Sequence, residues 1–284
     1  MIQKFKEAAK EKRSNIGIGL GTSEYHNQKI LQASLNFVAL NKANVYIFGN
    51  SNFINILLEQ TPKNYLNSRV NFIECQTPER VILTFLINKT IQSIVRGSMS
   101  SNKFLKSLKK NLNIRETYRL ALLETINEHQ FFFGPVGIDE CKNFENKIKY
   151  LDLAIKKLQE FDTIPKISIL SGGRTSDTGR NSKVDKTIQD AEKIVELLKN
   201  KYSNLKISHD EILIEKAIES KSNLIIAPDG LSGNLIYRTL VHLGGGKAYG
   251  AIYMGLRNTI IDTSRVGDFS EIQGALLLAL ALSK

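Results

Sequence analysis

Short apolar runs alternate with amphipathic stretches along the whole chain, and this alternation restricts the fold more than any other feature. Runs at 16–20, 45–48, 70–73, 91–95, 131–133, 167–170, 205–207, 224–226, 249–253 and 260–261 predict strands. Helical patterns are predicted at 2–12, 24–40, 53–58, 77–89, 102–110, 116–124, 141–160, 184–198 and 210–219, and then from Asn234 and from Glu271 onward. Thr77-Pro78-Glu79 supplies a cap, a proline for the first turn and an acid, in that order. Phe131-Phe132-Phe133 runs into Gly134-Pro135, a hard stop for a strand. A strand, a helix and a further strand imply a crossover, so the expectation is an α/β fold with mainly parallel sheets.

The 284 residues suffice for one large or two medium domains with a real core. No stretch approaches the roughly 20 apolar residues of a membrane span, and the apolar segment 274–282 reads as a buried terminal helix. Residues 1–13 are charged and lack the apolar centre of a signal peptide. Cys75 and Cys141 are the only cysteines and form no C-x-x-C pair, so a reducing cytoplasm is expected, with neither a disulfide framework nor a zinc site. The histidines at 26, 129, 209 and 242 show no metal-ligand spacing, and no metal site is expected. The net charge of +11 is spread over many helices and is accompanied by no tryptophan and few aromatics. It reads as a solvated basic surface, or as a pocket for a phosphorylated substrate, and not as a nucleic-acid interface.

Four loops could carry chemistry. The run 226–234 takes a buried strand through Pro228, Asp229, Gly230 and Gly233 to Asn234, where a helix opens. A strand–glycine turn–helix presents backbone N–H groups and a positive helix end, which suits an anion; it also serves as a plain connection. Asp229, Ser232, Gly233 and Asn234 are its candidate residues. The loop 171–183 holds two arginines, a lysine, five hydroxyls and three glycines. Guanidinium and hydroxyl groups suit phosphate oxygens, so Ser171, Arg174, Thr175, Ser176 and Arg180 are candidates, against the alternative of an exposed surface loop. Arg96-Gly97-Ser98 follows a predicted strand and is equally an ordinary turn or a substrate contact, with Arg96 and Gly97 the candidates. Ser264 and Arg265, with Glu271 six residues on, place a hydroxyl, a fixed cation and a carboxylate near one strand–helix junction. Gly17, Gly19 and Gly21 lack the G-x-G-x-x-G spacing and an acidic ribose partner, and read as packing glycines.

From residue 209 onward these pieces resemble the phosphate acetyl/butyryl transferase family. Residues 210–218 (DEILIEKAI) are similar to the family's G-E-L-Q-x-D-A-A-I. Pro228-Asp229, Gly233-Asn234 and Tyr237-Arg238 are similar to P-D-L-N-x-G-N-x-x-Y-K, and residues 229–234 also resemble the D-G-F-x-G-N of fatty-acyl phosphate synthases. Leu243-Gly244-Gly245, Gly250 and Gly255-Leu256 follow L-G-G-A-x-A-x-G-P-x-x-x-G-L, and Asp262-Thr263-Ser264-Arg265 follows D-L-S-R. The first two hundred residues match only in the order of elements. The chain departs from the pattern with Glu271 for an aspartate, Val266 for a glycine, Asn258-Thr259 for Lys-Pro, Ala251 for a proline and an altered loop at 171–183. As a whole it resembles a divergent branch, the methanogenesis marker protein 4 (MtxX) family.

The resemblance implies a two-domain fold like isocitrate and isopropylmalate dehydrogenases, with a cleft between the domains. The first domain would comprise 1–130 and 255–284, the second 131–254. It implies acyl exchange between coenzyme A and phosphate, with Ser264 steadying the transition state, Arg265 holding phosphate and Glu271 acting as base. It implies a homodimer acting on a small anionic substrate: acyl phosphate, phosphate or a coenzyme A thioester. Coenzyme A would be a co-substrate, with no tightly bound cofactor, no nucleic acid and no membrane. The MtxX family also carries a methyltransferase-related label, although no residue pattern here carries methyl-transfer chemistry. Two alternatives therefore stand: a methyltransferase-related protein of methanogenesis, and a non-catalytic binder of an anionic ligand.

Overall fold

A computed structural model of the chain describes residues 1–283. It separates into two units, 1–117 with 248–284, and 118–247. The first unit opens with α1 (Ile2–Ala9), β1 (Ser14–Gly19), α2 (Glu24–Leu40), β2 (Ala43–Gly49), α3 (Ser51–Glu59), β3 (Val70–Glu74), α4 (Pro78–Ile87), β4 (Ser93–Val95) and α5 (Ser101–Asn111). Pro78 stands in the first turn of α4 with Glu79 beside it, as the sequence predicts.

The second unit contains β5 (Tyr118–Glu124), β6 (Gln130–Gly134), α6 (Phe144–Gln159), β7 (Lys166–Leu170), α7 (Ser182–Lys201), β8 (Lys206–Glu211), α8 (Ile214–Glu219), β9 (Leu224–Ile226) and α9 (Gly230–His242). Its strand order is β5-β6-β9-β7-β8, parallel except for the β5–β6 hairpin. The chain then returns to the first unit with β10 (Lys247–Met254), β11 (Thr259–Asp262) and α10 (Phe269–Leu282). There the order is β3-β2-β1-β4-β11-β10, parallel except for β10 against β11.

Each unit is thus an α/β layer structure. In the first, α10 is the central helix: residues 274–281 are all buried, and it packs against α1, α2 and β11. Burial all round explains why this helix reads as a continuous apolar run and not a stripe. Lys12 caps its end, donating from Nζ to the carbonyls of Ala281 and Ser283 at 2.8 Å. Strand order reverses between β1 and β4, because β2 and β3 lie to one side of β1 and β4 to the other. In open α/β sheets the carboxyl ends at such a reversal form a crevice, and the tripeptide 96–98 is placed there.

Three sequence expectations change. Residues 116–124 are not a helix: 118–124 form β5, and all seven residues are buried. Leu, Ala, Arg and Glu favour a helix intrinsically, but a strand covered on both faces also reads as an unbroken apolar run, and tertiary burial decides. The helix predicted at 210–219 shortens to α8, because the polar residues 208–211 extend β8 along β7. The helix expected to open at Asn234 begins at Gly230, with Asp229 as its cap. The two compact units divide at 117/118 and 247/248. The β5–β6 hairpin carries 118–130 into the second unit, and the β10–β11 pairing carries 248–254 into the first. Among the described residues no helix is long and apolar enough to cross a membrane.

Candidate functional site

Arg96 leaves β4 into the crevice of the first unit and is 4% exposed. Its Nε donates to Asp262, its Nη1 to the carbonyl of Met99 and its Nη2 to the carbonyl of Thr263. A buried guanidinium needs such partners. Arg96 therefore ties the end of β4 to the end of β11 and does not face outward as a substrate contact. Gly97 follows in the left-handed region at φ +64°, and Thr263 Oγ1 donates to its carbonyl at 3.0 Å. Ser98 accepts from Gly21 N at 2.7 Å and donates to Asn27 Oδ1 at 2.8 Å. The three strand ends β1, β4 and β11 are thereby fastened together.

The loop after β11 is the next layer. Glu271, in the first turn of α10, is 2% exposed, and its Oε1 accepts the backbone N–H of Ser264 at 2.7 Å. Ser264 Oγ accepts Val266 N at 3.3 Å, and Gly267 N returns to the Ser264 carbonyl at 3.1 Å. The turn is closed on itself from within. Arg265 points the other way: it is exposed and makes no hydrogen bond or ion pair among the described residues. Ser264, Arg265 and Glu271 are therefore brought to one turn, but with the carboxylate inside and the guanidinium outside. Lys29 of α2 reaches the same loop through Asp268, 3.5 Å away, and lies over the Tyr25 ring. Burial, with the Lys29 charge, holds the neighbouring His26 below its ordinary pKa, while Asp268 opposes the shift.

In the second unit the candidates fall into two loops. Asp229 caps α9, with Oδ1 accepting both Ser232 N and Ser232 Oγ at 2.8 Å. Its carboxylate occupies the helix-end donor that an anion would seek. Gly230 and Gly233 are contact glycines: an added Cβ would stand 1.8 Å from the Gly137 carbonyl and 1.9 Å from the Pro135 carbonyl. Asn234 Nδ2 donates to the Val136 carbonyl at 2.9 Å. The segment thus locks the start of α9 onto residues 135–140.

The loop 171–183 is closed in a similar way. Ser171 is buried, its Oγ 2.8 Å from both the Gly173 carbonyl and His209 Nε2, and burial lowers the His209 pKa. Arg174 N donates to Asp177 Oδ2 at 2.9 Å, and Arg180 Nη1 to Asp177 Oδ1 at 2.6 Å. The Arg174 N–H, followed by Arg180, lowers the Asp177 pKa. Thr175 N donates to Glu211 Oε1 at 2.9 Å, which lowers the Glu211 pKa. Gly179 N donates to Asp185 at 3.0 Å. Arg174, Thr175, Ser176 and Arg180 are exposed.

Two residues at this edge of the first unit, Asn27 and Lys29, escaped the sequence reading, whereas Ser98 belongs to the tripeptide 96–98 already singled out there. Asn27 is fully buried on the same face of α2 as Ile30, Leu31 and Ser34, so an amide on an apolar stripe was the available signal. Lys29 carries no signal of its own.

The family model for phosphate acetyl/butaryl transferase matches residues 84–280. A Methanosarcina mazei protein named as a methyltransferase, mtx subunit X, is 34% identical over 283 residues, covering 100% of this chain and 95% of that protein. A phosphotransacetylase from Streptococcus pyogenes superposes with a TM-score of 0.72 at 15% identity, covering 98% of this chain and 96% of that one. More weakly, isocitrate dehydrogenase from Methylococcus capsulatus does so with a TM-score of 0.54 at 8% identity, covering 93% and 85%. The two structural likenesses show a shared fold. Family model and sequence identity go further: this chain belongs to the phosphate acetyl/butaryl transferase family, within the branch that contains the mtx subunit X proteins of Methanosarcina.

Proposed function

We propose that the protein is an acyltransferase that exchanges an acyl group between coenzyme A and phosphate at the loop 263–268. One observation carries this reading. The Ser264–Arg265 step is pinned from inside by Glu271, and the Arg265 guanidinium is left open. A guanidinium suits a phosphate, because its planar fork matches two phosphate oxygens.

In the proposed reaction a phosphate oxygen attacks the thioester carbonyl. The new C–O bond forms as the C–S bond breaks, and coenzyme A leaves as a thiolate that takes up a proton. In reverse the thiolate attacks the acyl phosphate and inorganic phosphate departs. Arg265 holds the phosphate and Ser264 Oγ faces the oxyanion. Glu271 is implied by the resemblance to be the base. Its burial and its bond to the Ser264 N–H support a positioning role instead, since a base must reach the proton it takes.

A panel of acyl-CoAs incubated with phosphate, with thiol release followed, tests the activity. Phosphate-dependent release that fails in Arg265→Ala is expected; no release with any thioester overturns the reading. Glu271→Gln separates the two roles. Positioning predicts a lower kcat with an unshifted pH profile, whereas a base predicts loss of the limb of the profile that reports its ionisation.

A second reading has its own support: relatives at 34% identity carry a methyltransferase name. Saturable binding of S-adenosylmethionine, a corrinoid or a methanopterin, without thioester turnover, would favour it. Phosphate binding without exchange would identify a non-catalytic binder. We further propose a cytoplasmic homodimer. The exposed Leu231 and Leu235, one turn apart on α9, support a partner surface, and light scattering on the purified protein tests the mass.

A further inference from the structure

The opposite edge of the first unit carries a polar surface that the proposed reaction does not use. β1 and β2 pair Asn15 with Asn44. The Val45–Val70 pairing sets Arg69 beside Asn44, and the Ile16–Ser93 pairing sets Gln92 beside Asn15. Four neighbouring strands thus contribute one row of polar side chains at their amino ends. Arg13 and Lys42 immediately precede β1 and β2 and stand at the same edge. These six side chains, with Ser14, line a cavity of about 460 Å³.

Within the row the amides hold one another and the backbone. Asn44 Nδ2 donates to Asn15 Oδ1 at 2.9 Å, and Asn15 N to Gln92 Oε1 at 2.8 Å. Asn15 Nδ2 donates to the Thr90 carbonyl at 3.0 Å, and Gln92 Nε2 to the Lys89 carbonyl at 3.1 Å. Their geometry is therefore fixed before any ligand arrives. The cations are less engaged. Arg69 Nη1 donates to the Asn41 carbonyl at 2.7 Å, which satisfies the end of α2 and leaves its other donors available. Lys42 pairs at 2.7 Å with Glu11, which is exposed at the rim. Arg13 is exposed and makes no hydrogen bond or ion pair among the described residues. Stabilisation of a helix end accounts for Arg69, but neither for Arg13 nor for the cavity.

We propose that this cavity binds the phosphate group of a small phosphorylated molecule. Three cations face one carboxylate, and guanidinium forks suit phosphate oxygens. The volume lies within the roughly 300–1,000 Å³ of small-molecule sites, so a molecule larger than phosphate fits, with the ordered amides meeting its remainder. The site is separate from the loop that follows β4 and β11: the six residues of β1 span about 20 Å between the two edges.

Inorganic pyrophosphate is the probe. It is titrated calorimetrically into the Arg265→Ala protein at constant ionic strength, so that failure of the proposed reaction does not touch the result. Saturable binding is expected, weakened about fivefold or more by Arg13→Ala through loss of a charge-assisted contact. Glu11→Gln removes the carboxylate that competes for Lys42 and tightens binding about twofold or more. Both residues are exposed, and the second change improves binding, which a damaged fold cannot mimic. The side-chain amide resonances of Asn15 and Asn44 shift on titration. No saturable binding, equal affinity in all three proteins, or binding that added salt abolishes equally in each overturns the proposal; the last would mark diffuse attraction to a protein of charge +11.

Discussion

Arg180 and Arg265 both follow a strand in a loop of hydroxyls and glycines, yet their surroundings differ. Around Arg180 the second unit supplies Asp177, Asp185 and Glu211 against Arg174, Arg180 and Lys183, so the loop is close to balanced in charge. In the first unit two of the three acids near Arg265 have gone inward, while Asp268 stays exposed with Lys29 3.5 Å away. Glu271 is buried beneath the Ser264 N–H, and Asp262 is buried against Arg96. What remains outside at the turn is Arg265, with Lys29 nearby on Asp268. A count of basic residues favours the longer loop as the anion site; the placement of the carboxylates favours the shorter one.

The largest expected effect concerns the buried ion pair. Arg96→Ala leaves the Asp262 carboxylate in the interior without its guanidinium and should cost about 3–5 kcal/mol of stability in urea unfolding. A loss below 1 kcal/mol would mean Arg96 is not the fastener described. Next comes Gly233→Ala, whose Cβ would press on the Pro135 carbonyl and cost about 1–3 kcal/mol. A neutral result would reopen the possibility that this glycine serves ligand approach. Asp229→Ala removes a helix cap and should cost about 1 kcal/mol, with no loss of phosphate affinity. Loss of substrate binding at unchanged stability would move the site toward the second unit. Smallest is Arg180→Ala, which breaks a solvent-screened exposed pair and should leave both the unfolding midpoint and turnover unchanged.

The order of elements was legible because burial patterns repeat with the period of the structure that holds them. Residues 24–40 and 224–226 came out with the predicted bounds. β5 was not legible, since a strand covered on both faces loses its alternation and its leucines then speak for a helix. The start of α9 was displaced by four residues because glycine signals a break in sequence. Here Gly230 and Gly233 sit inside the helix, where any larger residue would strike the backbone of residues 135–137. At the site, spacing alone brought Ser264, Arg265 and Glu271 to one turn. It did not reveal that the carboxylate is inside and the cation outside, nor that Arg96 is bound by Asp262, 166 residues away. Such pairings depend on which strands become neighbours, and β4 lies beside β11 only through the topology of the sheet.

The most direct test follows phosphate-dependent coenzyme A release from an acyl-CoA in the unmodified protein, in Arg265→Ala and in Arg180→Ala. Turnover in the first and third, with the KM for phosphate raised about tenfold or activity lost in the second, is the predicted result. Equal turnover in all three, or loss in Arg180→Ala alone, would contradict the assignment of phosphate to the open guanidinium of the first unit.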